Sequence, residues 1–500
     1  MFRQISAALA LVMVVLNAPA LVGQGPQRGD PQRPDTFQYM SQQNKASIVM
    51  LAEKGLVPRP VASTIASGIR QVIADEAKPG AQRSGDYLRF EALLEAAVGA
   101  DASRLHTGRS RQDLGSTNDR MSQRDALLEV FSALTASREK LLKLAGEHVN
   151  TVIPAYTHGV QAQPTSLAHY LLAYAASLDR SADRLTAAYG RINLSPLGAA
   201  ALATSGFPLD RARLATLLGF DGLVENSYDA NHVSPVDIKT EFAAAISTSA
   251  IMVGQFVEDL HIQYHDPAPW IQIKEGPLTG ISSIMPQKRN PSVLERLRGL
   301  SSQVVGDSHT VVLMAHNTST GMSDYRGPQQ VVQAAQRAAQ MFDIFGQLVD
   351  ALVINPKRAL KEVDDDYATM TEVADTLQRI ADVPFRIGHH FASELTTYGR
   401  ERGKRPRDLT WAELQQIYKD ASHGQTMPLT ETQMRQTLDA AFVVANRHGL
   451  GGSQPDEVKR MLDGGRARVA ASAEWLRTQK AALQRAELTL DQEFANLIGR

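Results

Sequence analysis

One stretch of this chain brings hydroxyl, amide and basic side chains together where a loop gives way to a helix, and the chemistry it suits is anion binding. It reads Gly280-Ile281-Ser282-Ser283-Ile284-Met285-Pro286-Gln287-Lys288-Arg289-Asn290-Pro291 and leads into the spaced apolar residues Val293, Leu297, Leu300 and Val304. Asn290 is a good N-cap and Pro291 suits a first helical position, so backbone N–H groups and the positive end of the helix dipole fall beside Lys288. Helix ends of that kind bind anions. The same signals, taken alone, also fit an ordinary capped helix with solvated basic residues. Two further stretches stand out. Pro154 to Pro164 carries Thr157 and His158 just ahead of a helical run, where a histidine by itself reads as structural or solvated. His106 to Asp113 carries Arg109 and Arg111, which by themselves read as surface charges.

These stretches have to be positioned by helices. Leu167, Leu171, Tyr174, Leu178 and Leu185 recur at helical spacings, as do Phe242, Ile246, Val253, Val257, Leu260 and Tyr264. Val293 to Val304 forms a third run, and Val332, Ala335, Phe342, Phe345, Leu348 and Leu352 a fourth. The fold expected is all-α, with a central bundle of long helices. Its apolar stripes are extensive enough to imply self-association. No repeat or hairpin pattern is evident. Polar sequence around Arg104 to Asp119 separates a first helical unit, 36–120, from the bundle, 121–366. Asn355-Pro356 with Glu362 to Asp366 begins the exit to a C-terminal helical unit, 367–500, with a helix start at Asp408 to Glu413 and a break at Gly451-Gly452.

Composition narrows the chemistry further. The 500 residues carry 52 Lys+Arg against 53 Asp+Glu, so no net field draws in nucleic acid or an anionic membrane, and a small-molecule partner is expected. There are no cysteines, which excludes disulfides, thiolate metal sites and cysteine nucleophiles. No metal-ligand cluster, phosphate-cradling glycine loop or nucleotide fingerprint is present, and no cofactor is expected. At the N-terminus, Arg3 precedes an apolar run from Ile5 to Leu16, and Ala18-Pro19-Ala20 offers a cleavage site. Residues 1–20 are therefore expected to be a signal peptide and 21–35 a disordered leader, giving an exported, periplasmic protein with no membrane attachment after cleavage. An uncleaved anchor is the alternative, but about 12 apolar residues fall short of the roughly 20 that span a bilayer.

The loop stretch resembles the signature of the fumarase/aspartase superfamily, Gly-Ser-Ser-x-Met-Pro-x-Lys-x-Asn, departing from it by the inserted Ile281. That resemblance implies that Ser282 is the base that takes a proton from the carbon next to a substrate carboxylate, with Ser283 as second candidate. Lys288 and Asn290 would hold the charge that develops on the carboxylate. Pro154 to Pro164 is similar to the superfamily's second region in its argininosuccinate lyase form, which implies that Thr157 binds a carboxylate and His158 donates a proton to the departing nitrogen, paired with Glu295. His106-Thr107-Gly108-Arg109-Ser110-Arg111-Gln112-Asp113 resembles the argininosuccinate lyase region His-Thr-Gly-Arg-Ser-Arg-Asn-Asp, which implies that Ser110, Arg111 and Gln112 face the succinyl part of the substrate. Gln112 stands where the family has asparagine. Smaller matches at Ala46 to Val57, Leu194 to Gly198, Glu225 to Ala230 and Val383 to Arg386 extend the resemblance over nearly the whole chain.

The resemblance implies three helical domains, a homotetramer with a shared central bundle, a dicarboxylate substrate and active sites drawn from different subunits. The expected activity is elimination of fumarate from an N-substituted aspartate by serine-base proton abstraction, of argininosuccinate lyase type and so tied to arginine biosynthesis. Alternatives are a lyase for another N-substituted aspartate, of aminopolycarboxylate or disuccinate type, and a non-catalytic periplasmic binding protein. The amine end is where the pattern departs. The family's Tyr-Asn-Lys-Asp-Leu-Gln-Glu-Asp-Lys becomes Gly321 to Gln329, placing Arg326 at its glutamine, and its Ser-Asp-Arg-Asp becomes Asn231 to Asp237. Argininosuccinate is accordingly expected to be a poor substrate, with Arg326 favouring an acidic amine substituent.

Overall fold

The computed structural model describes residues 34–321 and 329–499. The expected signal peptide, nearly all of the expected leader, and Arg326 lie outside them. Helices α1 (Thr36–Glu53), α2 (Arg59–Glu76) and α3 (Tyr87–Val98) begin a first core around Phe37, Met50, Ile65 and Phe90. The bundle follows: α4 (Arg111–Glu147), α5 (Leu167–Ile192), the short α6 (Arg211–Leu217) outside it, then α7 (Ser234–Gln263), α8 (Ser292–Ala315) and α9 (Gln329–Ala351). The four apolar runs read from the sequence are α5, α7, α8 and α9, except that Tyr264 falls just past α7 and Leu352 in a short strand after α9. Leu171, Leu178, Phe242, Ile246, Leu297, Val304, Phe342 and Phe345 join Phe131 and Leu134 of α4 in one core. The all-α expectation holds.

Two expectations fail locally. The polar stretch Arg104 to Asp119 is not a separator throughout, because α4 already starts at Arg111. Ser110 and Asp113 form a reciprocal capping box there, and two of the polar residues that suggested a loop, Asp113 and Thr117, are buried against polar partners. A hairpin also exists. Strands β1 (Val152–Thr157) and β2 (Val160–Ser166) pair antiparallel, turning at His158 (φ +53°) and Gly159 (φ +76°). Pro154 and Pro164 argue against strands by rule, but they sit opposite one another, where neither has to donate an N–H.

After α9 come α10 (Pro356–Asp364), α11 (Met370–Ala381), α12 (Phe385–Glu401), α13 (Trp411–Ala421), α14 (Glu431–Thr437) and α15 (Ala440–Ala445). Residues from Tyr367 to Leu438 share their own core. The last helix, α16 (Pro455–Ile498), leaves that unit and runs back along the bundle. Arg138, a fully buried arginine of α4, meets Asp179 of α5, and Arg468 of α16 binds the same carboxylate. Deleting one member of such a set strands a buried charge. Asp179→Ala should therefore lower unfolding free energy by about 3 to 5 kcal/mol in denaturant titrations. A loss under about 1 kcal/mol would mean that water reaches Arg138.

Candidate active site

The Ser282 loop is tied at its neck. Gly280 pairs with Asn290 and Ile281 with Arg289, so that the seven residues Ser282 to Lys288 bulge outward. Ser282 is half-buried and its Oγ accepts the Met285 N–H at 3.1 Å, whereas Ser283 is exposed. An N–H aimed at a hydroxyl oxygen stabilises the anion form of that oxygen. Lys288 donates its N–H to the Met285 carbonyl at 3.0 Å. Arg289 turns away to Glu275 at 2.9 Å and to the Pro286 carbonyl at 2.8 Å. Ile281 and Ile284 are 81% and 83% exposed at this loop.

The helix start differs from the sequence expectation. Asn290 is not the N-cap: it is held in the neck pair, Pro291 takes the cap position without a side-chain bond, and α8 begins at Ser292. The N–H of Val293 goes to the Leu278 carbonyl at 3.1 Å and that of Leu294 to Pro291 at 2.9 Å. An anion placed here would meet chiefly the Lys288 and Asn290 side chains and the dipole of α8. Glu295 lies exposed in the first turn of α8.

Thr157 and His158 are exposed at the hairpin tip. The hairpin is anchored to α10, with the Tyr156 hydroxyl donating to Glu362 and the Gln161 side chain to the carbonyls of Glu362 and Val363 at 3.4 Å. Among the described residues no hydrogen bond or ion pair joins His158 to Glu295.

Ser110 caps α4, accepting the Gln112 N–H at 3.2 Å, which leaves its proton for another partner. Its own N–H goes to Asp113 at 2.9 Å, and the other Asp113 oxygen accepts the N–H groups of Gly198 at 2.9 Å and Ala200 at 3.1 Å. Burial pushes Asp113 up to about 6 in spite of these donors. Arg109 is no surface charge: it is buried, donates to Asn44 and Ser47 at 2.9 and 3.0 Å, and lies over the Tyr87 ring. Burial, with the Arg109 charge, holds His106 below the usual histidine range. Arg111 is exposed and Gln112 half-buried.

The structure thus unites Ser282, Lys288 and Asn290 on one loop, Thr157 with His158 on a hairpin, and Ser110 to Gln112 at a helix start, the last at the opposite end of α4 from the hairpin. Helix α4 has 37 residues and spans about 55 Å. Ser110 lies at its start and the hairpin follows its end. Sequence reasoning missed a layer under the start of α7. Arg120 donates to the carbonyls of Arg191 and Ile192 and to Ser234 at 2.8 Å, with Lys239 also buried. Burial pushes Asp119 up to about 7 against the charges of Lys239 and Arg120. The signal was there: Lys239 stands three residues before Phe242, on the apolar stripe of α7.

The family described as Lyase matches residues 36–306, and that described as Argininosuccinate lyase C-terminal matches 367–445. The chain is 34% identical over 470 residues to argininosuccinate lyase 2 of Agrobacterium fabrum, covering 91% of each. It is 32% identical over 440 residues to argininosuccinate lyase of Methanococcoides burtonii, covering 86% of this chain and 87% of the relative. The crystal structure of EDDS lyase in complex with formate superposes with a TM-score of 0.85 at 31% identity, covering 93% of this chain and 92% of that one. Similar in sequence and in fold over most of its length, the chain belongs to the fumarase/aspartase superfamily as an argininosuccinate lyase-like carbon-nitrogen lyase.

Proposed function

We propose that this lyase eliminates fumarate from an N-substituted aspartate whose amine is not that of arginine, in sites built between the subunits of a homotetramer. The observation that carries the reading is the Ser282 hydroxyl, half-buried and already accepting a backbone N–H on the loop that bears Lys288 and Asn290. Ser282 takes the proton from the carbon beside the substrate carboxylate. The electron pair moves onto that carboxylate, where Lys288, Asn290 and the dipole of α8 hold the charge. It then returns as the carbon-carbon double bond while the carbon-nitrogen bond breaks. His158, oriented by Glu295 of a neighbouring subunit, supplies the proton the nitrogen needs, and Thr157 with Ser110, Arg111 and Gln112 holds the succinyl part.

The length of α4 between Ser110 and the hairpin supports assembly between copies. So do Ile251 and Ile262 on α7 and Val312 and Leu313 on α8, all exposed on the single chain. Two observations bear on the amine. The relatives in sequence are argininosuccinate lyases, whereas a neighbour in fold, EDDS lyase, acts on a different N-substituted aspartate. The stretches that depart from the argininosuccinate lyase pattern meet in space, with His232 3.0 Å from the Thr320 carbonyl, one residue before Gly321. Fumarate absorbance tests the reading with argininosuccinate and with iminodisuccinate, an aspartate bearing a second succinyl group. Argininosuccinate should turn over with kcat/KM below about 10⁴ M⁻¹s⁻¹, and iminodisuccinate faster. A higher value for argininosuccinate overturns the amine assignment. Absence of fumarate from every N-substituted aspartate tried overturns the lyase reading.

A further inference from the structure

The end of α8, the start of α7 and the start of α4 are laced together by residues given no role above. Residues Asp229–Val233 form a π-helical turn, a widened turn that recurs at functional sites. Asn231 in it donates to the carbonyls of Ala200 and Ala201 at 2.8 and 3.1 Å. His232 places Nε2 3.0 Å from the Ala201 carbonyl and Nδ1 3.0 Å from the Thr320 carbonyl, so its ring lies between two segments far apart in sequence and donates to one carbonyl when neutral and to both when protonated. Tyr228 packs on that ring at 5.2 Å, and its hydroxyl lies 2.8 Å from the Thr320 hydroxyl. The lacing reaches the succinyl end as well. Ala200, held in the left-handed region at φ +55°, gives its N–H to the same Asp113 that closes the cap behind Ser110.

A continuous path therefore runs from Ser110 through Asp113, Ala200 and His232 to Thr320. Tyr228 stands at its far end, still 42% exposed. Two hydroxyls that share one hydrogen bond keep one proton to donate outward, so the Tyr228 and Thr320 pair suits a hydrogen-bond acceptor on a ligand. Given the lyase reading above, we propose that Tyr228 and Thr320 bind a carboxylate on the amine substituent, and that His232 is the positioning residue that holds Thr320 in place for it. Substrate choice then rests on a hydroxyl pair that is separate from the loop doing the proton transfer.

Two variants test this. Tyr228→Phe keeps the ring on His232 and removes one hydroxyl. Its kcat/KM for iminodisuccinate should fall about tenfold or more through KM, with kcat within about threefold. Values for aspartate, which has no amine substituent, and inhibition by fumarate should hardly move. His232→Ala should weaken iminodisuccinate in the same way, and His232→Gln, which can still donate to a carbonyl, should recover part of the loss. Equal losses on iminodisuccinate and aspartate in Tyr228→Phe mean a merely structural role and overturn the proposal, as does unchanged kinetics. Calorimetric binding of iminodisuccinate to wild type and Tyr228→Phe decides the matter if turnover is absent: weaker binding by the variant supports the carboxylate contact and equal affinities overturn it, whereas failed turnover alone strikes only the lyase reading.

Discussion

Ser282→Ala is expected to cut kcat by about 10² to 10⁴-fold, the usual range for loss of a general base, while oligomeric state and melting temperature stay put. The hydroxyl contributes one exposed contact to the loop, to the Met285 N–H, which water can replace. The neck pair of Gly280 with Asn290 and the ion pair of Arg289 with Glu275 keep the loop's outline. Ser283→Ala should retain most activity, since Ser283 is exposed and its hydroxyl accepts no such donor among the described contacts. Fumarate absorbance under steady state, with light scattering on the same samples, reads both effects. The reverse pattern moves the base by one residue. Full activity in both variants overturns serine-base chemistry.

Mixing two dead proteins should produce a live one. His158→Asn and Ser282→Ala are each expected to be inactive, but subunit exchange at equal amounts should restore about a quarter of wild-type activity. That figure follows if each site takes its histidine and its serine from different subunits, so that a random site is intact in both with a chance of about one half times one half. The motive is geometric: the hairpin tip makes no bond with Glu295 within the chain, and about 55 Å of α4 separates the hairpin from Ser110. No recovery after demonstrated exchange, or a fully active monomer, would show that one chain holds a whole site.

The fold was largely legible because its helices bury one face each. The stripe from Leu167 to Leu185 became α5, and that from Phe242 to Leu260 lies in α7, which starts eight residues earlier. That extra length was hidden because Ser234, Pro235 and Lys239 break the apolar pattern while Arg120 and Ser234 satisfy each other inside. The hairpin was illegible for a similar reason. Its turn uses His158-Gly159 rather than an Asn-Gly or Asp-Gly pair, and both strands contain proline. For the site, the residue types at the Ser282 loop suggested anion binding. What stayed invisible was distance, since no spacing along the chain tells which groups one subunit keeps apart.

The route of α16 bears on when this protein becomes a folded object at all. Leu490, Phe494 and Leu497 fill the core that α1, α2 and α3 begin, and Lys45 binds Asp491 across 446 positions at 2.8 Å. The unit of α1, α2 and α3 therefore waits, with part of its apolar core uncovered, for the end of α16 to be translated. At about 5 to 20 residues per second, that exposure lasts on the order of 20 to 80 seconds. The uncovered part of that core leaves the nascent chain open to aggregation until α16 can dock.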